Sequence, residues 1–192
     1  MLTILKPGDA FPTEFPEGAV MLLEKPLGWT SFDVINKIRY PLSHRLGVKR
    51  IKIGHAGTLD PLATGLLILC TGKYTKLIES FQALEKEYTG TITFGATTVS
   101  FDLENPVDTT FPTGHLNDAL LQDLLAQFTG EIAQIPPMFS AVKVDGKRLY
   151  KNARTGQEVE LTPRSVRIDA FELSPLRPVP PTDAARIPEN LN

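Results

Sequence analysis

The residues best equipped for chemistry lie in one stretch, 54–65, which reads GHAGTLDPLATG. Its three glycines let backbone approach a ligand closely, and Thr58 and Thr64 offer hydroxyls. His55 supplies a titratable ring, and Asp60 a carboxylate directly before Pro61, which biases it toward extended backbone. An ordinary aspartate, with a pKa of about 3.9, is charged at neutral pH. Such a group can attack an electrophilic carbon or stabilise developing positive charge. The plainer alternatives are that Asp-Pro starts a turn and that a lone histidine is a polar loop residue. Composition alone leaves both open.

Competing chemistries fail on spacing. A phosphate-cradling Walker loop ending at Gly72-Lys73 would need glycine at position 67 and Ser or Thr at 74; the chain has Leu67 and Tyr74. No Gly-x-Ser-x-Gly nucleophile elbow occurs. A single cysteine, Cys70, cannot close a disulfide within the chain, and His44, His55 and His115 are scattered without zinc-like spacing. Neither a metal nor a redox site is expected. No apolar run approaches the roughly 20 residues of a membrane span. Lys6, Pro7 and Asp9 stand where a secretory signal would be apolar, so a cytoplasmic location is expected.

A net charge of -2 conceals a strong asymmetry. Residues 34–59 hold six Lys or Arg (Lys37, Arg39, Arg45, Lys49, Arg50 and Lys52) and no acid. Residues 138–157 hold five more (Lys143, Lys147, Arg148, Lys151 and Arg154) against Asp145. These windows are either solvated faces or an electrostatic footprint for a phosphate backbone, which needs local rather than net positive charge. The catalytic-looking loop closes the first of them.

The elements that must hold this loop follow from periodicity. Residues 19–24 form an apolar run fit for a buried strand, ended by Pro26 and Gly28. Thr30 or Ser31 can cap a helix carrying Phe32, Ile35 and Ile38, with Pro41 as its expected stop. Short strands are expected at 51–53 and 66–71 on either side of the loop, then a helix over 75–84. Residues 87–94 alternate like a strand, and 116–128 form an amphipathic helix with Asn117 near its cap. Asp145-Gly146 marks a hairpin, 151–155 a short helix, and 165–173 a further strand. Helices and strands mix without a regular βαβ alternation, so the class is α+β. Beyond Ser174, five prolines within 18 residues oppose ladder pairing and favour an extended or disordered tail over 175–192.

The loop together with its flanking blocks, EKPLGWTSFDVINKIR, EKEYTGTITFGATT and IPPMFSAVKVDGKRLYKNARTGQEVE, resembles the TruB family of tRNA pseudouridine synthases. The blocks run in order from about Val20 to Glu160. The resemblance implies a pseudouridine synthase fold, a mixed and mostly antiparallel sheet with flanking helices and a central RNA-binding cleft. It implies a cytoplasmic isomerase of tRNA processing that converts a T-loop uridine, position 55, to pseudouridine without metal or cofactor. Asp60 then takes the catalytic aspartate's position. Tyr88 matches the tyrosine that stacks on the target base, His55 the histidine that enters the RNA as the base is extruded, and Lys25 a support of the active-site loop. Arg45, Lys49, Arg50, Lys143, Lys147 and Arg148 become candidate contacts to the RNA backbone, with the tRNA T-arm as partner.

One departure stands out. The family pattern continues with a strand bearing a Tyr-Ile-Arg-like motif whose arginine pairs with the catalytic aspartate, and no such triplet occurs here. Nor is a PUA domain expected. The expectation is therefore a catalytic domain over 1–174, incomplete at its C-terminal side, with Asp60 short of a guanidinium counter-ion. The alternative function is an impaired tRNA-binding or folding remnant.

Overall fold

A computed structural model of the chain describes residues 4–9, 17–137, 143–144, 147–148 and 161–178. They fall into two units that divide between Thr89 and Gly90. Both combine helices with mostly antiparallel strands, as the α+β reading expects.

The first unit is a four-stranded sheet in the order β1-β2-β4-β3, made of Ile4–Leu5 (β1), Val20–Lys25 (β2), Ile53–His55 (β3) and Gly65–Thr71 (β4). β2 and β4 run antiparallel from Val20 opposite Cys70 to Lys25 opposite Gly65, and β3 pairs β4 on its other edge. Only β1 and β2 are parallel. β2 and β4 are central strands, which explains their nearly continuous apolar sequences. Gly18 lets the chain enter β2 against the end of β4. It sits at φ +114°, where a Cβ would come within 2.0 Å of the Thr71 carbonyl oxygen. Cys70 is fully buried, and burial pushes its thiol pKa up, which keeps it unreactive.

Helix α1, Ser31–Arg45, covers one face of this sheet. Thr30 caps it: its hydroxyl accepts from the Asp33 amide while the Asp33 carboxylate accepts from the Thr30 amide. Val34, Ile35 and Leu42 pack with Met21, Leu67 and Leu69 as the core of the unit. Each such buried side chain contributes about 1.5–3 kcal/mol relative to an exposed one. Phe32, expected on the buried face, is 57% exposed and lies under the Arg39 guanidinium. Pro41 does not end the helix. Proline removes a single intrahelical donor, and burial of Leu42 one residue later holds the final turn in place. After β4 a 3-10 segment, Gly72–Leu77, leads into α2, Ile78–Gln82, so the helix expected over 75–84 is partly 3-10 and shorter.

The expected strand over 87–94 is absent. Residues 85–94 form no ladder, and Tyr88, Ile92 and Phe94 are 75%, 55% and 38% exposed. Alternation prepares a segment for a sheet, but partner hydrogen bonds and a packed face stabilise it, and among the described residues this segment has no partner strand.

The second unit pairs β5, Ala96–Thr98, with β6, Val107–Thr110. Asn117 caps α3, Asp118–Leu125, through the Leu120 amide, and a 3-10 turn follows over Ala126–Phe128. β7, Gly130–Gln134, pairs antiparallel with β10, Arg164–Ile168. Between them lies the hairpin expected at Asp145-Gly146: β8, Lys143–Val144, faces β9, Lys147–Arg148, with Lys143 opposite Arg148. The Leu176 amide donates to Asp118 at the start of α3 (2.7 Å), which ties down the first part of the proline-rich segment. The helix expected over 151–155 lies outside the described residues.

Candidate active site

The loop between β3 and β4 is held from both sides of Asp60. On its N-terminal side, Ser31, the first residue of α1, donates its hydroxyl to the Leu59 carbonyl and accepts from the Leu59 amide, at 3.2 and 3.0 Å. On its C-terminal side the Pro61 carbonyl accepts from the Gly28 amide (2.8 Å) and from the Lys25 ammonium (3.4 Å). The Asp60 carbonyl itself accepts from the Ala63 amide at 3.0 Å. With both neighbours fixed, the backbone that carries the carboxylate has little freedom, and Asp60 is solvent-exposed. A rigid mount for a reacting group is what preorganised catalysis requires.

Lys25 is the other half of this construction. It ends β2 and is fully buried, yet its three N–H donors all find carbonyl oxygens: Trp29 at 2.6 Å, Pro26 at 2.9 Å and Pro61 at 3.4 Å. One ammonium thus ties the 26–29 turn to the loop carrying Asp60. Burial pulls its pKa below the usual lysine range, and the negative charges of Asp60 and Asp33 work the other way. The Lys25 ammonium and the Asp60 carboxylate therefore attract one another.

His55 is the last residue of β3 and half-buried. Its Nδ1 lies against the Gly57 carbonyl. A carbonyl can only accept, so this contact puts the proton on Nδ1 and leaves Nε2 as the available nitrogen. Tyr88 belongs to the same unit but sits on the unpaired 85–94 segment with its ring in solvent. Tyr88 is thus not a core aromatic. Among the described residues no hydrogen bond or ring contact joins Tyr88 to the Asp60 loop.

Arg45 closes α1, and Lys49 and Arg50 lie exposed on the turn that follows. Lys143, Lys147 and Arg148 sit on the β8–β9 hairpin of the second unit. No group of three or more His, Cys, Asp or Glu among the described residues could hold a metal, and no helix there is long and apolar enough to cross a membrane. Locally, Ser31 reads as a possible helix cap and Gly28 as a turn residue. Their hydrogen bonds across to the loop leave no local signature, because they join positions 28 or more residues apart.

Residues 44–182 match the sequence pattern of the TruB family pseudouridylate synthase, N terminal domain. The chain belongs to this family of pseudouridylate synthases, and the matched region contains His55, Asp60 and Tyr88. Among relatives, it is 58% identical over 159 residues to tRNA pseudouridine synthase B of Phocaeicola vulgatus, covering 83% of this chain and 68% of that protein. It is 54% identical over 173 residues to tRNA pseudouridine synthase B of Bacteroides thetaiotaomicron, covering 90% and 72%. The protein of the same name from Flavobacterium johnsoniae is 54% identical over 164 residues, covering 85% and 72%.

Proposed function

We propose that this chain is a tRNA pseudouridine synthase that isomerises the uridine at position 55 of the T-arm, with Asp60 as the acting carboxylate. The single observation that carries the reading is the mounting of Asp60: an exposed carboxylate whose two neighbours are each pinned to the end of β2 or the start of α1. The family match over the same loop supports the choice of reaction.

The reaction detaches uracil from C1′ of its ribose and reattaches it through C5. An anion beside the sugar can serve this by attacking C1′, which gives a covalent ester while the base leaves. It can also stabilise charge while the C2′ proton departs. In either route the C5 proton is lost to solvent once the new bond forms. No metal or cofactor is invoked for these steps. Base and sugar reach a loop carboxylate only if the nucleotide leaves its stack. His55 at the loop's entrance would fill the vacated place, and the ring of Tyr88 would stack on the extruded base. Arg45, Lys49, Arg50, Lys143, Lys147 and Arg148 would meet the RNA backbone, which positions the substrate without reading its sequence.

Unmodified tRNA transcript incubated with the chain should yield pseudouridine in a nucleoside digest, mapped to position 55, and Asp60→Ala should yield none. Pseudouridine formed at the parental rate by Asp60→Ala would overturn the assignment.

A further inference from the structure

The C-terminal half of α1 and the turn behind it line an open, shallow cavity of about 170 Å³ bordered by Asn36, Arg39, Tyr40, Ser43, Lys49 and Arg50. Three of the six are cations and none is acidic. The cavity is built by defined contacts: the Ser43 hydroxyl accepts from the Ile51 amide at 3.0 Å, and the Ser43 carbonyl accepts from the Val48 amide at 3.0 Å. These bonds fold residues 48–51 back onto the helix and bring Lys49 and Arg50 beside Arg39 and Tyr40. Arg39 is held by the Asn36 side-chain oxygen (2.8 Å) and by the Phe32 ring (5.8 Å to its centroid). Its Nε is nevertheless shut off from solvent with no acceptor. A buried donor without an acceptor is rare in folded proteins, and an oxyanion entering the cavity would draw the guanidinium toward it. On the rim, Tyr40 is 77% exposed and stacks on His44 at 6.5 Å between centroids, which leaves an aromatic face open.

Cations grouped around a small polar cavity fit a phosphodiester, and an open aromatic face beside them fits a base or ribose. The geometry points to a nucleotide subsite for the tRNA strand, separate from the target uridine, in which Arg39, Lys49 and Arg50 hold one phosphate and Tyr40 packs on the adjoining nucleoside. This rests on the reading that the chain acts on tRNA, and it places a defined contact where that reading has only scattered basic residues. The subsite is coupled rigidly to the catalytic loop, because α1 carries Ser31 at one end and Tyr40 nine residues on, about 14 Å along the helix axis. An acidic polypeptide would satisfy the cations but would make no use of the aromatic face.

The test measures anisotropy of a fluorescent T-arm stem-loop RNA titrated with the whole chain over a range of salt, alongside pseudouridine formation. The exposed pair Lys49→Ala/Arg50→Ala should weaken binding roughly tenfold and flatten the slope of log affinity against log salt by about 1, the loss of one phosphate contact. Tyr40→Leu should weaken binding at least about fivefold and leave that slope alone. Parental affinity and slope in both variants, from a parent that forms pseudouridine, would overturn the subsite together with the backbone contacts of Lys49 and Arg50, and leave the isomerisation by Asp60 standing. A parent that neither binds the RNA nor forms pseudouridine would overturn both. Polyglutamate binding that is lost in Lys49→Ala/Arg50→Ala while RNA binding persists would overturn the nucleotide assignment in favour of an acidic protein partner.

Discussion

Replacing Lys25 by methionine isolates what the buried ammonium does, because methionine keeps an unbranched stem of similar length and removes the three donors. The Trp29 carbonyl, bonded at 2.6 Å, would lose its donor, and Pro26 O would keep only the long 3.4 Å approach of the Trp29 amide. Pro61 O retains the Gly28 amide at 2.8 Å. Two carbonyls left wholly or largely unsatisfied cost about 1–3 kcal/mol each. Against this, the variant no longer buries a charge, the same penalty that pulls the Lys25 pKa down. The net expectation is a loss of about 2–4 kcal/mol, which for a chain of this size lowers the melting temperature on the order of 10 °C. Thermal and urea denaturation measure the loss. Pseudouridine formation below the melting range measures whether Asp60 is still aimed, and the rate should fall because the C-terminal tether of the loop is loosened. A Lys25→Met protein that melts within about 1 °C of the parent and keeps its rate would refute the claim that this ammonium organises the site.

Three further outcomes follow from the same geometry. Ser31→Ala removes the other tether and should slow the reaction; because both tethers hold one loop, the double variant with Lys25→Met should be non-additive, measured as a double-mutant cycle on rate and stability. Gly18→Ala should destabilise by about 3 kcal/mol in urea titrations, since a methyl group at φ +114° meets the Thr71 carbonyl. The Asp33 carboxyl is held below its ordinary pKa by hydrogen bonds from the Thr30 hydroxyl and amide. Its contribution is complete above the unfolded value of about 3.9 and is lost as pH falls through the lower folded value. The stability gap between parent and Asp33→Ala, about 1 kcal/mol at neutral pH, should therefore close in acid, as followed by thermal melts.

What was legible in the sequence was local. The apolar runs at β2 and β4, the Thr30 cap, the Asn117 cap and the Asp145-Gly146 hairpin each carry their signal within a few residues, and each appears where it was expected. The loop from Gly54 to Gly65 announced itself through glycine, threonine and a carboxylate packed together. The misses were matters of context. Pro41 sits inside a helix because Leu42 is needed in the core, and the 87–94 segment alternates like a strand but finds no partner among the described residues. Lys25 was read through the family resemblance as a support of the active-site loop; two of its carbonyl acceptors, Pro26 and Trp29, are local, whereas the third, Pro61, lies 36 residues away in the chain. The cavity beside Arg39 and Tyr40 was hidden for the same reason, since a charge count registers cations and not the Ser43 bonds that gather them.

The central claim is that the charge of one tethered carboxylate drives the isomerisation, and Asp60→Asn tests it most directly, because shape and loop are kept while the charge is removed. Release of tritium from tRNA carrying 5-tritiated uridine should be seen with the parent chain under single-turnover conditions and fall to background with Asp60→Asn. Tritium released by Asp60→Asn as fast as by the parent would contradict the account.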